Sequence, residues 1–218
     1  MDLNNWVIVF DLDDTLYSEN DYFLSGLNAV EEFITKVYNV PFKGKIISAN
    51  KAKVKDLWGW CCDTLNLPID IKESLLWVYR LHTPDIHLYP GINKLLKELS
   101  DYNAKLAILS DGRSLSQRLK INVLKLNSYP IYLSEEFISE KPNELRFLEI
   151  QKRWPGYKYV YIADNPEKDF KAPQNLGWLC IGADWIKNKI HKKIEKNIMP
   201  EYWVKDPFHV LKILESNL

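Results

Sequence analysis

The chain has 218 residues, enough for one sizeable domain with an insert, and its 29 basic and 29 acidic residues balance. This balance gives no reason to expect nucleic acid or an anionic membrane as a partner. No apolar run approaches the ~20 residues of a membrane span, and the start MDLNNWVIVF lacks the basic region of a secretory signal. Three cysteines, two of them adjacent, suit a reduced compartment, so we expect a cytoplasmic protein.

The first predicted element is a buried strand, Trp6–Phe10, which runs directly into the acidic stretch DLDDT. Carboxylates this close repel one another and resist losing their water. Such crowding persists when a positive group, usually a metal ion, holds it, or when one acid is kept protonated. The alternative is an ordinary surface turn, where aspartate is common. Asp11 and Asp13 are two residues apart, so an extended path would direct both side chains to one side.

No strand is predicted from about residue 17 to residue 88. This interval contains helix-like segments such as FLSGLNAVEEFITKVY and IKESLLWVYRL. It is too long for one crossover helix, so we predict an inserted helical subdomain over 17–88, with 1–16 and 89–218 forming the core. Aromatic residues of the insert, Trp58 and Trp60 among them, are expected to pack inside it, with stacking on a substrate as the alternative.

After the insert, short β-rich runs alternate with stretches of helical periodicity, for example Ile92, Leu95, Leu96 and Leu99 in GINKLLKELS. The predicted strands cover 104–109, 130–133, 157–162, 178–181 and 202–204. This alternation predicts an α/β fold, with a Rossmann-like parallel sheet covered by helices on both faces. The lysine-rich segment 187–196 is predicted to be an amphipathic surface helix, with an acidic partner or anionic substrate as the alternative.

Polar residues follow four of the predicted strands. They are, in chain order, Asp11, Asp13, Ser110, Gly112, Lys141, Asp164 and Asp169. Ligands of parallel sheets bind beyond the carboxyl ends of the strands, so we expect these residues to meet at one rim. Each residue taken singly also has an interpretation without a site. Ser110 could be a turn residue, Lys141 a solvated cation and Asp164 a helix cap. Their joint placement favours a site.

The chemistry follows from the types of residue. Carboxylate oxygens without histidine or cysteine select a hard cation such as Mg²⁺. A hydroxyl, an ammonium and helix N-terminal amides suit phosphate, and Pro142 is predicted to be the first residue of a helix beside Lys141. A metal and a phosphate beside a spare carboxylate indicate phosphoryl transfer through an aspartyl-phosphate.

The stretches DLDDT, LAILSDG, EKP and IADNPEKD resemble, in this order, the four motifs of the haloacid dehalogenase-like (HAD) hydrolase superfamily. The helical insert resembles its type 1 cap. This resemblance implies a Mg²⁺-dependent phosphatase acting on a small phosphorylated metabolite. Asp13 favours a phosphatase because dehalogenases of the superfamily generally lack an acid there. A phosphomutase and a binding protein without turnover are the alternatives, and neither the substrate nor the oligomeric state is predicted.

The resemblance also implies a role for each motif residue. Asp11 is the nucleophile, and it binds the metal together with Asp164 and the backbone carbonyl of Asp13. The side chain of Asp13 is the general acid and base, while Asp169 supports the metal. The remaining roles are phosphate binding by Ser110, Asp111, Gly112 and Lys141, and support of the loop by Thr15.

Two positions depart from the superfamily pattern. Ala163 replaces the usual glycine and is small enough to be tolerated. Asp111 replaces the asparagine of many members and adds negative charge near the expected phosphate site. Its side chain is therefore expected either to be directed elsewhere or to select substrates.

Overall fold

The computed structural model describes residues 1–187 and 199–218. The chain forms two compact units, Met1–Glu19 with His87–Leu218, and Asn20–Ile86. From residue 188 onward, the lysine-rich segment predicted as a surface helix lies outside the described residues. Within the described ranges, no helix is both long and apolar enough to cross a membrane.

A parallel sheet of six strands, in the order β3-β2-β1-β4-β5-β6, forms the centre of the larger unit. The strands are β1 Trp6–Phe10, β2 Lys105–Ser110, β3 Ile131–Leu133, β4 Lys158–Ala163, β5 Leu179–Ala183 and β6 Tyr202–Val204. Each begins and ends within two residues of its predicted position. The sequence WVIVF of β1 is buried throughout, as a central strand covered on both faces requires. The predicted α/β fold is confirmed.

Helices lie between consecutive strands from β1 to β5, because a parallel pair cannot be joined by a tight turn. The helices are α1 Glu19–Tyr38, α2 Lys45–Lys51, α3 Leu57–Leu65, α4 Ile71–Leu81, α5 Ile92–Asp101, α6 Ser114–Val123, α7 Ser134–Phe137, α8 Leu145–Arg153, α9 Lys171–Asn175 and α10 His209–Ser216. The four apolar residues predicted as one stripe of α5 are all buried. The β-rich runs predicted from the sequence are therefore strands, and the stretches of helical periodicity between them are helices.

The strand order indicates where on the sheet a ligand would bind. The chain moves from β1 outward through β2 and β3, then returns to the other side of β1 with β4. Ligands of such sheets bind where the strand order reverses, outside the carboxyl ends of the strands. Asp11 follows β1 and Asp164 follows β4, so both lie at this switch point.

The smaller unit has its own apolar core, which consists of Leu27, Val30, Ile34, Ile46, Cys61, Cys62 and Leu75 from helices α1 to α4 and Phe42 from the loop between α1 and α2. Trp58 and Trp60 pack against this core, as expected. The carboxylate of Glu31 is buried beside it and accepts the N–H groups of Gly44, Ile46 and Ile47 at 2.6, 2.7 and 3.0 Å. A side chain of α1 thus satisfies the exposed donors at the start of α2.

The prediction that Pro142 begins a helix is wrong. The Lys141–Pro142 peptide bond is cis and α8 begins at Leu145. The residues between form a turn, in which the Asn143 N–H donates to the Glu140 carbonyl at 2.9 Å. Asn143 Oδ1 accepts the N–H of Leu145 at 2.9 Å. The asparagine closes this turn locally, so Lys141 does not lie at a helix N-terminus.

Candidate active site

Asp11 and Lys141 form the buried centre of the site. The Asp11 N–H donates to the Ile162 carbonyl of β4 at 2.9 Å, so the backbone still belongs to the sheet where the carboxylate begins. Lys141 Nζ lies 2.7 Å from Asp11 Oδ1 and 2.7 Å from Asp169 Oδ1. It also donates to the Tyr161 hydroxyl at 3.2 Å. One ammonium is therefore shared between two carboxylates.

The charges of this group are unevenly balanced. Burial raises the pKa of Asp11, the charge of Lys141 lowers it, and Asp169 raises it again, to about 7 in all. Burial lowers the pKa of Lys141, but the carboxylates of Asp11 and Asp169 raise it well above its ordinary value. The lysine is thus held charged, while further positive charge near Asp11 would favour its carboxylate form.

Three carboxylates converge beside this pair. Asp11, Asp164 and Asp169 are all buried, and each offers an oxygen within 4.8 Å of the other two. Asp169 is fixed by its Oδ2, which accepts the N–H of Asn165 at 2.8 Å. An all-oxygen donor set of this kind suits a hard divalent cation. Asp13 was predicted to bind the metal only through its backbone carbonyl. Its carboxylate contacts other side chains.

The carboxylate of Asp13 lies in a network of donors. Its Oδ1 accepts Lys120 Nζ at 2.7 Å and the hydroxyl of Tyr17, and its Oδ2 accepts Gln117 Nε2 at 2.7 Å. Burial alone would raise the pKa of Asp13, but the charge and hydrogen bond of Lys120, together with the hydrogen bonds from Tyr17 and Gln117, hold this pKa below the ordinary value. The ionised form is therefore favoured in this geometry.

Ser110 is the last residue of β2, and Gly112 lies in the loop that follows it. Ser110 is buried; its Oγ accepts Gln117 Nε2 at 3.0 Å, and its own contact to the Asp111 carbonyl is long, at 3.4 Å. Gly112 has a φ of +130°, and a Cβ there would lie 3.0 Å from Gln117 Nε2, so both conformation and space favour glycine. The Gly112 N–H donates to Ser134 Oγ at 2.9 Å.

Asp111 is bound by cations. Its carboxylate accepts the guanidinium of Arg146, the backbone N–H of Lys141 at 3.2 Å, and Lys168 Nζ at 3.5 Å. Arg146 is completely buried and also donates to the Ser110 carbonyl at 2.9 Å. Burial would raise the pKa of Asp111, but Lys141, Arg146 and Lys168 lower it below its ordinary value. Asp111, which replaces the asparagine of many superfamily members, thus has a buried cation, Arg146, as its partner.

The loop after β1 is held by its backbone. Thr15 is buried, and its carbonyl accepts Trp185 Nε1 at 2.9 Å. Asp14 adopts a φ of +52° and its Oδ1 accepts the Glu19 N–H at 2.9 Å, at the first residue of α1. Thr15 thus contacts Trp185 through a main-chain atom, and Trp185 is a partner that the sequence did not single out. The supporting role of Thr15 stays a prediction.

These residues surround a cavity of about 90 Å³. The cavity is lined by Asp11, Asp13, Asp14, Glu19, Ser110, Asp111, Asp164, Asn165 and Lys168. The ends of β1, β2 and β4 thus meet in one pocket, as their parallel arrangement predicted. Lys141 contacts Asp11, Asp169 contacts Lys141, and neither of the two lines the cavity.

Residues 8–183 match the sequence model of haloacid dehalogenase-like hydrolases. The chain belongs to this family. A glyceraldehyde 3-phosphate phosphatase from Methanocaldococcus jannaschii is 28% identical to it over 227 aligned positions, which cover 96% of each chain.

Two solved structures of HAD hydrolases resemble it in fold. A HAD hydrolase of Bacillus subtilis bound to magnesium has a TM-score of 0.69 at 17% identity, covering 97% of this chain and 99% of that one. A 2-haloacid dehalogenase from Pseudomonas syringae has a TM-score of 0.67 at 16% identity, with the same coverage. Likeness at this level of identity shows the fold alone, so the activity must be argued from the site.

Several partners of the motif residues in this HAD hydrolase lie on helices and were missed by sequence reasoning. Lys120 and Gln117 come from α6, Arg146 comes from α8, and Lys168 precedes Asp169 in the loop after β4. Lys120 and Gln117 are three residues apart, a spacing that places both on one helix face. That spacing was the available signal, but lysine and glutamine on a helix more often face water.

Proposed function

We propose that this HAD hydrolase is a phosphatase that cleaves small phosphomonoesters through a phosphoenzyme formed on Asp11, with Mg²⁺ as its cofactor. The observation that carries the proposal is the buried carboxylate of Asp11, which belongs both to an ion pair with Lys141 and to a cluster of three carboxylates. The similarity to a glyceraldehyde 3-phosphate phosphatase supports a small phosphorylated metabolite as the substrate.

The residues present fit a divalent cation. The carboxylates of Asp11, Asp164 and Asp169, together with the ammonium of Lys141, leave an excess of two negative charges. The pKa of Asp11 is raised to about 7, chiefly by burial and further by Asp169, although Lys141 lowers it. Asp11, Asp164 and the backbone carbonyl of Asp13 would hold the ion, with Asp169 in support. When bound, Mg²⁺ would supply Lewis-acid stabilisation of the phosphoryl oxygens.

The chain's own residues then perform two displacements at phosphorus. A carboxylate oxygen of Asp11 attacks, and the ester oxygen leaves with a proton supplied by the carboxyl group of Asp13. Asp13, now ionised, accepts a proton from the water that attacks the phosphoryl group, which releases inorganic phosphate and restores the Asp11 carboxylate. Ser110 Oγ accepts from Gln117, so its hydrogen can turn to a phosphoryl oxygen.

The network around Asp13 favours the second of these steps in the geometry described. Lys120, Tyr17 and Gln117 all donate to its carboxylate, which is the form that accepts a proton from water. Donation to the leaving group requires a protonated Asp13, and protonation weakens the ion pair with Lys120. We expect good leaving groups to be cleaved readily because they depend least on this protonation.

Discrimination among phosphate esters is assigned to the helical unit Asn20–Ile86. The motif residues recognise phosphate and metal, which every phosphate ester can present. The helical unit is accordingly proposed as the cap of this HAD hydrolase. All three cysteines are free thiols, which supports a reducing, cytoplasmic location.

Phosphate release from p-nitrophenyl phosphate and glyceraldehyde 3-phosphate, with and without Mg²⁺, tests the function. We expect release by the wild type, none in excess EDTA, and recovery when Mg²⁺ is added. Asp11→Asn removes the nucleophile with little change of shape, so turnover should fall by orders of magnitude and BeF₃⁻ should no longer bind as a phosphoryl mimic. Near-normal turnover in this variant would refute the phosphoenzyme. Conversion of a phosphosugar to its isomer without net release would indicate a mutase.

A further inference from the structure

Lys141 is held inside the protein, away from the cavity. Its Nζ donates to Asp11 Oδ1 at 2.7 Å and to the Tyr161 hydroxyl at 3.2 Å, and it lies 2.7 Å from Asp169 Oδ1 as an ion pair. Lys141 is also only 6% exposed and does not line the cavity. It contributes positive charge to the site, and a cation at the cavity wall is better placed to donate a hydrogen bond to a phosphoryl oxygen.

Lys168 is a second ammonium at the same place. Among the described lysines and arginines, it alone lines the cavity that Asp11, Ser110 and Asp164 also line. Its side chain is 39% exposed, and its Nζ lies 3.5 Å from Asp111 Oδ2. The acid and the hydroxyl of the site thus share one small cavity with this lysine.

The contact with Asp111 does not neutralise Lys168. The Asp111 carboxylate is already bound by the buried guanidinium of Arg146 and by the Lys141 N–H. At 3.5 Å the contact is at the limit of a hydrogen bond, and the Lys168 side chain is partly exposed, so this ion pair contributes little free energy. Lys168 can therefore turn from Asp111 to an anion in the cavity at small cost.

The backbone that carries Lys168 is fixed. The Asp169 N–H donates to the Asn165 carbonyl at 3.0 Å, and the Asn165 N–H donates to Asp169 Oδ2 at 2.8 Å. This reciprocal pair closes the loop between Asp164 and Asp169. The position of Lys168 is therefore tied to the carboxylates that converge on Asp11.

We propose that Lys168 is a phosphate-binding residue of this protein, whose ammonium donates a hydrogen bond to a non-bridging oxygen of the bound phosphoryl group. The assignment rests on the proposed phosphatase function and adds a residue to it. Lys141 and Lys168 then have separate roles in the site. The buried lysine neutralises Asp11 and Asp169, and the lysine in the cavity contacts the substrate.

The test compares Lys168→Ala and Lys168→Arg with Lys171→Ala, a matched change of an exposed lysine outside the cavity. The affinity for inorganic phosphate is measured by calorimetry in the presence of Mg²⁺, and KM and kcat are measured on p-nitrophenyl phosphate. Loss of one charged hydrogen bond should weaken phosphate binding about ten-fold or more in Lys168→Ala. We expect a matching rise in KM, recovery in Lys168→Arg, and wild-type values in Lys171→Ala.

A double-mutant comparison separates direct contact from an effect through Asp111. If Lys168 touches phosphate, Lys168→Ala weakens phosphate binding by a similar factor in the Asp111→Asn background. Disappearance of the effect there, or phosphate affinity in Lys168→Ala equal to that of Lys171→Ala, would overturn the assignment. Phosphate binding does not require turnover, so a wild type that binds phosphate without hydrolysing esters contradicts the function while Lys168 remains testable. A wild type that does not bind phosphate contradicts both.

Discussion

Asp111→Asn should destabilise the protein, although it introduces the residue that many HAD members carry at this position. Arg146 is completely buried, and the Asp111 side chain is 13% exposed. Removing one partner of a buried ion pair costs about 3–5 kcal/mol because the other charge stays buried. Arg146 keeps its hydrogen bonds to the Ser110 and Tyr132 carbonyls at 2.9 and 3.3 Å, and the asparagine oxygen still accepts. The low end of the range, about 3 kcal/mol, is therefore expected.

Thermal and urea unfolding of the metal-free protein measure this effect. For a chain of this length, about 3 kcal/mol corresponds to a fall in Tm of roughly 6–12 °C. Asp101→Asn, which changes an exposed aspartate at the end of α5, serves as the control and should stay within about 0.5 kcal/mol of the wild type.

The pH dependence gives a second check of the same pair. The pKa of Asp111 is lower in the folded protein than its ordinary value of 3.8, because Lys141, Arg146 and Lys168 outweigh its burial. A lowered folded pKa stabilises above the unfolded pKa, and this stabilisation is lost as the pH falls through the folded pKa. The difference between wild type and Asp111→Asn should be constant near neutral pH and shrink below about pH 4. A variant as stable as Asp101→Asn at pH 7 would refute the reasoning.

Three further changes test other parts of the protein. Asp13→Asn should lower kcat by about 10²–10⁴-fold on alkyl phosphates and by less on aryl phosphates, whose leaving groups need no proton; equal losses would argue against the general acid. Glu31→Gln keeps the shape of the residue but removes its charge from three backbone N–H donors, so the unfolding free energy should fall by about 1.5–3 kcal/mol, whereas the exposed Glu32→Gln should change little. Trp58 and Trp60 are only partly buried against the core of the helical unit, so in variants that remain folded we expect Trp58→Ala and Trp60→Ala to change the ranking of substrates across a panel of phosphometabolites, and a common factor for all substrates would contradict the cap as selector.

The sheet and the meeting of its acids could be predicted because both follow from local patterns. Buried strands such as WVIVF are short apolar runs, and parallel strands bring their carboxyl ends to one rim. Asp11, Ser110 and Asp164 therefore line one cavity, although 99 and 54 residues separate them along the chain. Pro142 was misplaced because Asn143, rather than the proline, closes the turn before α8.

The buried cations Lys120 and Arg146 could not be predicted from local patterns. The buried residues of α6 are Gln117, Lys120 and Ile121, so a lysine occupies a position that periodicity reserves for an apolar side chain. Its burial is favourable only because Asp13, 107 residues away in the chain, places a carboxylate opposite it. Arg146 of α8 is buried for a comparable reason, with Asp111 as its partner. Pairings at such sequence separation leave no periodic signal.

In DLDDT, Asp11 and Asp13 each face a buried cation, which offsets their mutual repulsion. The pairs are Asp11 with Lys141, Asp13 with Lys120 and, after β2, Asp111 with Arg146, and Lys141 is shared between Asp11 and Asp169. These cations are already paired with carboxylates of the protein. The charge of a bound phosphate dianion must therefore be balanced by positive groups outside these pairs. In our proposals, that charge comes from the ion held by the carboxylate cluster and from Lys168 at the cavity wall, so the removal of either should weaken phosphate binding even where the fold is unchanged.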